Sequence, residues 1–329
     1  MKINKQGLNY LLKLFLGIII LFALFAYTGI DKSVSILLKI NLAFLAVAFA
    51  AHGASWIFRA MRIKAIFSDY SITTAKTIDI YKINFAGNAL NIVLPFKLGD
   101  IGQIYLFHTE SKIALKESAT SVIYTRIFDI LALSMFGLAS IALILTSSSS
   151  HDISSYSIIF LILPVMLIIL TSTRVQEKIA KLIEKKRPQI AQIIRSFKLS
   201  KRCRIKSIIY SLLTWLADGM TTYFIFKGLD QDIPLSVIFL GLVVANMMKS
   251  FPTTPGGIGL FEGSMAFIFM SFGINQNIAL VTSTLDHFIK NITTLVFGIP
   301  SLMSYKYNID NLREMSKDIK KKVFKSGTK

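Results

Sequence analysis

Ten ionisable side chains interrupt otherwise apolar stretches of this chain: Lys97, Asp100, Arg126, Asp129, Asp218, Lys249, Glu262, Asp286, His287 and Lys290. A charge at the centre of a membrane helix costs on the order of 2.5–3.5 kcal/mol, so it faces a partner or a wet cavity. Arg126 and Asp129 lie three apart and Asp286 and Lys290 four apart, which puts each pair on one helical face. Two readings stand side by side. Each pair neutralises itself, or one member exchanges its partner for a lipid headgroup, a task that suits the guanidinium fork of Arg126. Asp100 and Glu262 share a position, the first turn after a break in an apolar run. The helix dipole alone favours an acid there. Free N–H groups at Gly256 and Gly257 would also make a helix terminus that accepts an anion. An acid beside such a terminus would match both charges of a zwitterionic or aminoacyl lipid.

The elements that must position these groups are themselves interrupted. The first break reads Asn91-Ile-Val-Leu-Pro95-Phe-Lys97-Leu-Gly99-Asp100-Ile-Gly102, inside an apolar run from about Ile83 to Phe107. The second reads Phe251-Pro252-Thr-Thr-Pro255-Gly256-Gly257-Ile-Gly259-Leu-Phe-Glu262-Gly263, between the runs Leu235–Met248 and Ala266–Phe272. Non-helical backbone at membrane depth survives where protein or water satisfies its free polar groups. A matched pair of such breaks, one per half, marks a substrate site in a transporter-like membrane protein. Asn88, Asn91 and Asn246 precede the breaks, where their amides can satisfy freed backbone.

Hydrophobic residues are 53% of the 329, which excludes an ordinary soluble domain. Windows long enough to span a bilayer are Leu14–Ile30, Ile40–Phe58, Ala119–Thr146, Ile208–Phe226 and Ile278–Ser304, with a shorter one at Ile158–Thr171. The first lacks an A-x-A-like cleavage site and reads as an uncleaved span. A net charge of +19 would point to nucleic acid in a soluble protein. Here the basic residues lie between spans, where orientation and anionic lipid explain them and nucleic acid is not expected. Residues 174–206 hold 12 Lys/Arg against Glu177 and Glu184, and residues 306–329 hold 8 against Asp310, Glu314 and Asp318. The positive-inside rule puts both clusters and both termini in the cytoplasm. Parity then requires the first broken run to enter and leave on the cytoplasmic side and the second on the external side. Within the basic loop, Val175, Ile179, Leu182 and Ile183 recur at near-helical spacing before Pro188. This segment is either a helix on the inner leaflet or a solvated connector.

The expectation is an all-α polytopic integral membrane protein of about six full spans plus two opposed re-entrant helical hairpins. A weak repeat supports it: Trp56, Asn88 and Pro95 are spaced 32 and 7 apart, and Trp215, Asn246 and Pro252 are spaced 31 and 6 apart. Spans in opposite directions at matched positions are what an inverted repeat requires. Residues 1–305 then form one membrane domain and 306–329 a basic tail. The single Cys203 allows no intrachain disulfide, and the four histidines lack metal spacing. With no GxxxxGK[ST], HExxH or GxSxG, there is no visible ATPase, metal or nucleophilic constellation, and no cofactor is expected.

At Asn91, Pro95, Gly99 and Asp100, at Arg126 and Asp129, and at Pro255-Gly-Gly-x-Gly-x-x-Glu262, the chain resembles the lysylphosphatidylglycerol synthase transmembrane-region family, often called flippase-like. The likeness covers about residues 10–305. The family usually has Glu where Asp100 stands, followed by an Arg that is missing here, with Gln103 nearby. What the resemblance implies is the membrane half alone, without the synthases' aminoacyl-transferase domain, moving a charged or glycosylated lipid between leaflets. The headgroup contacts expected are Asn91, Lys97, Asp100, Arg126, Asp129, Pro255, Gly256, Gly257, Glu262, Asp286 and Lys290. An enzyme or accessory subunit in lipid aminoacylation or polyprenyl-linked glycosyl transfer is the alternative. A membrane-bound transferase and a second copy of the chain are the protein partners left open.

Overall fold

The computed structural model describes residues 5–72, 74–94, 97–147, 171–184, 188, 198–251 and 253–305. Every regular element among them is helical. In chain order these are α1 (Lys5–Thr28), α2 (Ile30–Leu38), α3 (Leu42–Asp69), α4 (Thr77–Val93), α5 (Leu98–Thr109) and α6 (Leu115–Ser147). They continue as α7 (Thr173–Glu184), α8 (Lys201–Gly228), α9 (Leu235–Lys249), α10 (Leu260–Ser271) and α11 (Gln276–Ser304). A short 3-10 turn, Pro255–Gly257, lies between α9 and α10. The shorter window 158–171, except Thr171, and the basic tail lie outside the described residues, as do Pro95 and Pro252.

The other five windows became α1, α3, α6, α8 and α11, of 24, 28, 33, 28 and 29 residues. At 1.5 Å per residue, 28 residues reach about 42 Å, more than a hydrocarbon core of about 30 Å. By length and composition α3 and α6 each suffice to cross a membrane, and α1 with α2 makes a third if the pair is one span. α8 and α11 fall short in apolarity because they carry buried charges. Their flanks look outward with large apolar side chains, among them Ile209, Leu216, Phe288 and Phe297. The stretch around Asp31, between the first two apolar windows, is helix α2, set at 90° to α1 across Gly29.

The helices pack as two related sets. α3 lies along α8, α4 pairs with α5 as α9 pairs with α10, and α5 meets α6 as α10 meets α11. Across the halves α4 rests on α11 and α9 on α6, so exchanging the halves reproduces the contact pattern. The cross-links from α3 to α8 run His52–Asp218, Arg62–Ser211, Ala65–Cys203 and Asp69–Ser200. Numbers rise on one helix as they fall on the other, so the two are antiparallel. Each set has its own apolar core: Ile63, Phe67, Ile80, Ile83, Leu106 and Phe107 in the first, and Phe226, Ile238, Leu242, Phe261, Met265 and Phe269 in the second. Asn41, Ser200 and Asn275 cap α3, α8 and α11 by accepting a backbone N–H.

Both breaks exist as real interruptions of helix. Between α4 and α5, Lys97 takes a left-handed conformation (φ 52°). The returning helix approaches so closely that a Cβ on Gly99 would lie 2.1 Å from the Gly87 carbonyl oxygen and 2.5 Å from the Asn91 nitrogen. Gly99→Ala is therefore expected to force the α4–α5 hairpin apart at about 1–3 kcal/mol. The check is thermal stability in detergent. Gly53→Ala, where a Cβ would meet nothing within 4 Å, should be neutral or stabilising. Equal losses in the two variants would refute the close-packing account.

Candidate functional site

The second break is built from backbone that only glycine adopts readily. Gly256, Gly257 and Gly259 have φ of 64°, 79° and 85°, and the stem of Lys249 runs 2.7 Å from where a Cβ on Gly257 would stand. The expected free N–H groups are not there at Gly257: it donates to the Thr254 carbonyl at 3.1 Å, closing the turn. The helix that follows starts at Leu260, and Glu262 fills its terminus by accepting the Gly259 N–H at 2.8 Å. Of the N–H groups expected to form an anion site there, that of Gly257 is thus already bonded within the chain. Pro255 and Gly257 are buried in the turn, and Gly256 packs against Ile92 at the end of α4. The two breaks therefore touch.

From each break a chain of polar contacts leads into the bundle. At the first, Asn91 Nδ2 donates to Asp100 Oδ1 at 2.7 Å and Arg126 Nε to Asp100 Oδ2 at 2.9 Å, with a second contact from Arg126 Nη2. Arg126 also reaches Asp129, at 3.8 Å. The stronger partner of Asp129 is Arg62, fully buried on α3, through two bonds of 2.7 and 3.2 Å. Arg62 donates to Ser211 and Trp215 Nε1 donates to Asp129, tying α3, α6 and α8 together.

At the second break, Lys249 Nζ meets His287 Nε2 at 3.1 Å and His287 Nδ1 meets Glu262 Oε1 at 2.7 Å. An ammonium only donates, so Nε2 must accept and Nδ1 carries the proton toward the carboxylate. His287 is neutral in this arrangement. Phe261 stacks on its ring at 4.3 Å, and both Lys249 and Lys290 approach the Phe261 ring. Asp286 pairs with Lys290 at 2.7 Å and accepts from Thr222.

Between these clusters lies a centre shared by α3 and α8. Arg59 binds Asp218, and its guanidinium sits 5.6 Å from the Trp56 ring and 5.5 Å from the Trp215 ring. His52 Nδ1 donates to Asp218 at 2.8 Å while its Nε2 accepts from Trp56 Nε1 at 3.1 Å, so this imidazole too is neutral.

The clusters correspond across the repeat. Asp100 and Glu262 each follow a break; Arg126 and His287, on the next helix, bind them; Asn91 and Lys249 end the helix before. Asn88 and Asn246 each donate to the carbonyl four residues back, as scaffolding would require. Of the expected residues, Asn91, Asp100, Arg126 and Asp129 form one assembly, and Glu262 joins His287 in the other with Asp286 and Lys290 nearby. Lys97, at the first break, is exposed. The Arg126–Asp129 self-pair is the weakest link of its cluster, whereas Asp286–Lys290 is closed.

The sequence reading weighed His52 only as a metal ligand and passed over Arg59 and Arg62, which lie just beyond the second apolar window. A signal was present. Trp56-x-x-Arg59 on α3 answers Trp215-x-x-Asp218 on α8, and the cation and acid at the matched position bind each other.

An all-helical bundle with apolar flanks and ion pairs along its interior defines a multi-pass membrane protein. Residues 10–298 match the lysylphosphatidylglycerol synthase TM region family, and the chain belongs to it. A UPF0104 membrane protein of Pyrococcus horikoshii is 24% identical over 91% of this chain and 98% of its own length. A UPF0104 membrane protein of Methanocaldococcus jannaschii is 24% identical over 68% and 97%. Glycosyltransferase AglD of Haloferax volcanii is 23% identical over 93% of this chain but 56% of its own length.

Proposed function

We propose that the protein moves a charged or glycosylated phospholipid between leaflets without its own ATPase. The carrying observation is the pair of matched charged clusters, one at each helix break, with the Arg62–Asp129 and Arg59–Asp218 pairs inside the same apolar bundle. In this reading α1, α3, α6, α8, α11 and the window 158–171 are the six full spans. The α4–α5 and α9–α10 hairpins re-enter from opposite faces of the cell membrane, with both termini cytoplasmic. Antiparallel α3 and α8, together with the exchange symmetry of the packing, support an inverted repeat whose halves rock around the centre. The headgroup would exchange places with Asp100 at Arg126 and with Glu262 at the second break, while the acyl chains stay in the bilayer.

Proteoliposomes carrying an acyl-labelled anionic lipid test this. Scrambling above empty vesicles is expected, with a loss of at least about tenfold in Arg126→Ala, since a charge-assisted bidentate contact is removed. No activity above empty vesicles, or full activity in Arg126→Ala, would count against it. A second reading, a membrane subunit serving glycosyl transfer to a lipid carrier, draws on the match to part of the glycosyltransferase. Co-purification with a transferase that tolerates Arg126→Ala would favour it.

A further inference from the structure

The two matched clusters differ in what they can do with a proton. At the first break the Asp100 carboxylate is held by the Arg126 guanidinium, which does not deprotonate, and by the Asn91 amide, which does not titrate. At the second break all three members titrate. Lys249 Nζ meets His287 Nε2 at 3.1 Å and His287 Nδ1 meets Glu262 Oε1 at 2.7 Å, two hydrogen bonds in series that join α9, α11 and α10. Nothing in the exchange of a headgroup requires that difference.

His287 is 1% exposed and Phe261 stacks on its ring, so bulk water does not reach Nε2 in this arrangement. Lys249 does reach outward: it is half-buried at the end of α9, followed by exposed Ser250 and Phe251. Protonation at Nε2 has a forced consequence. The lone pair that accepts from the ammonium becomes the new N–H bond, so the hydrogen bond from Lys249 breaks and two cations face each other. Nδ1–H goes on donating to Glu262, which the imidazolium now balances in place of Lys249. The buried carboxylate stays compensated while the ammonium is free to turn outward along its stem. That stem packs against Gly257, and neighbouring Gly256 packs against Ile92 at the end of α4, so release of Lys249 acts where the two breaks meet. The charged groups facing the imidazole are Lys249, Glu262 and, on its own helix, Asp286, which Lys290 closes. Arg59 of α3 and Asp218 of α8 are the next cation and acid. α1 carries Lys13 one turn before Gly17, which packs on the break, and α4 keeps Asp79, Tyr81 and Lys82 at the end away from it.

We infer that the second break is a proton-binding site, in which a proton taken up at His287 Nε2 displaces Lys249 as the cation paired with Glu262. This rests on the transport reading above and names the ion that drives it, a proton moving down its gradient. The proton comes from water on the side where α9 ends. After the halves rock it leaves to water on the other side, and the Lys249 ammonium returns to Nε2. One N–H bond forms on entry and the same bond breaks on exit, so nothing else is consumed.

Imidazole resonances of full-length protein carrying isotope-labelled histidine, in neutral-lipid nanodiscs, read the site without requiring transport. The chain has four histidines, so the signal absent from His287→Gln is assigned directly. Should that variant not fold, His52→Gln, His108→Gln and His151→Gln assign it by elimination. Expected is a neutral Nδ1–H tautomer at alkaline pH that becomes imidazolium between about pH 8 and 5. The Nε2–H tautomer at alkaline pH, or an imidazole still neutral at the acid end of that range, overturns the inference. In proteoliposomes carrying the acyl-labelled lipid, a one-unit pH gradient is expected to bias its distribution between leaflets by up to about tenfold, the ratio that one coupled proton imposes. His287→Gln should remove the bias, and His108→Gln, outside the network, should keep it. A bias retained in His287→Gln, or lipid movement that ignores the gradient, overturns the inference and leaves the transport reading standing. Titration of His287 as expected in a protein that scrambles nothing refutes the transport reading alone.

Discussion

Arg62→Met is expected to destabilise the protein by about 3–5 kcal/mol, the usual cost of stranding one member of a buried ion pair. Arg62 is fully buried and holds Asp129 through two hydrogen bonds, so its loss leaves that carboxylate leaning on Arg126 at 3.8 Å and on an indole N–H. The penalty belongs to the stranded charge and not to the missing arginine. The double variant Arg62→Met/Asp129→Leu should therefore recover most of the loss, because a pair replaced by apolar groups of similar volume is often neutral. Thermal unfolding in detergent, followed by retention on size exclusion, reads both variants. If the double variant is as unstable as the two single losses added, the pair is not what holds α3 to α6, and the account of the centre fails.

Glu262→Ala should cost a comparable amount for a composite reason. The carboxylate accepts from His287, caps the Gly259 N–H at the start of α10 and balances Lys249 through the imidazole. Glu262→Gln separates these roles, since an amide oxygen still caps but carries no charge. The cap alone is worth about 0.5–2 kcal/mol and the charge the remainder. The expected order of stability is native, then Gln, then Ala, and adding Lys249→Met should raise Glu262→Gln toward the native value. An unchanged Glu262→Gln would show that the charge is immaterial there.

The parts of this molecule that could be read in advance are those set by local chemistry. The apolar windows, the two Pro/Gly breaks and the acid placed one turn after each were legible from composition and spacing. Long-range pairing was not. Sequence proximity offered Arg126 and Asp129 as mutual partners, yet Asp100 and Arg62 hold them more tightly, because α5 and α3 both pack on α6 and bring residues from distant segments against it. The Gly257 N–H, expected to be free, is consumed in closing its own turn, and Glu262 lies close enough along the chain to cap the helix that starts at Leu260. α2 was missed because Ile30–Leu38 is too short and too mixed to stand out from a link, and its right-angle bend depends on Gly29 at φ 96°.

The chain contains two tryptophans, and both flank Arg59 in the shared centre, 5% and 7% exposed. Indole emission excited at the red edge of protein absorption therefore originates entirely there, with no background from the periphery. Each ring donates its N–H inside the network, one to a neutral imidazole and one to a carboxylate, so the two fluorophores report on different neighbours. The unlabelled protein carries its own optical gauge of occupancy, and Trp56→Phe or Trp215→Phe would resolve which side of the guanidinium responds first.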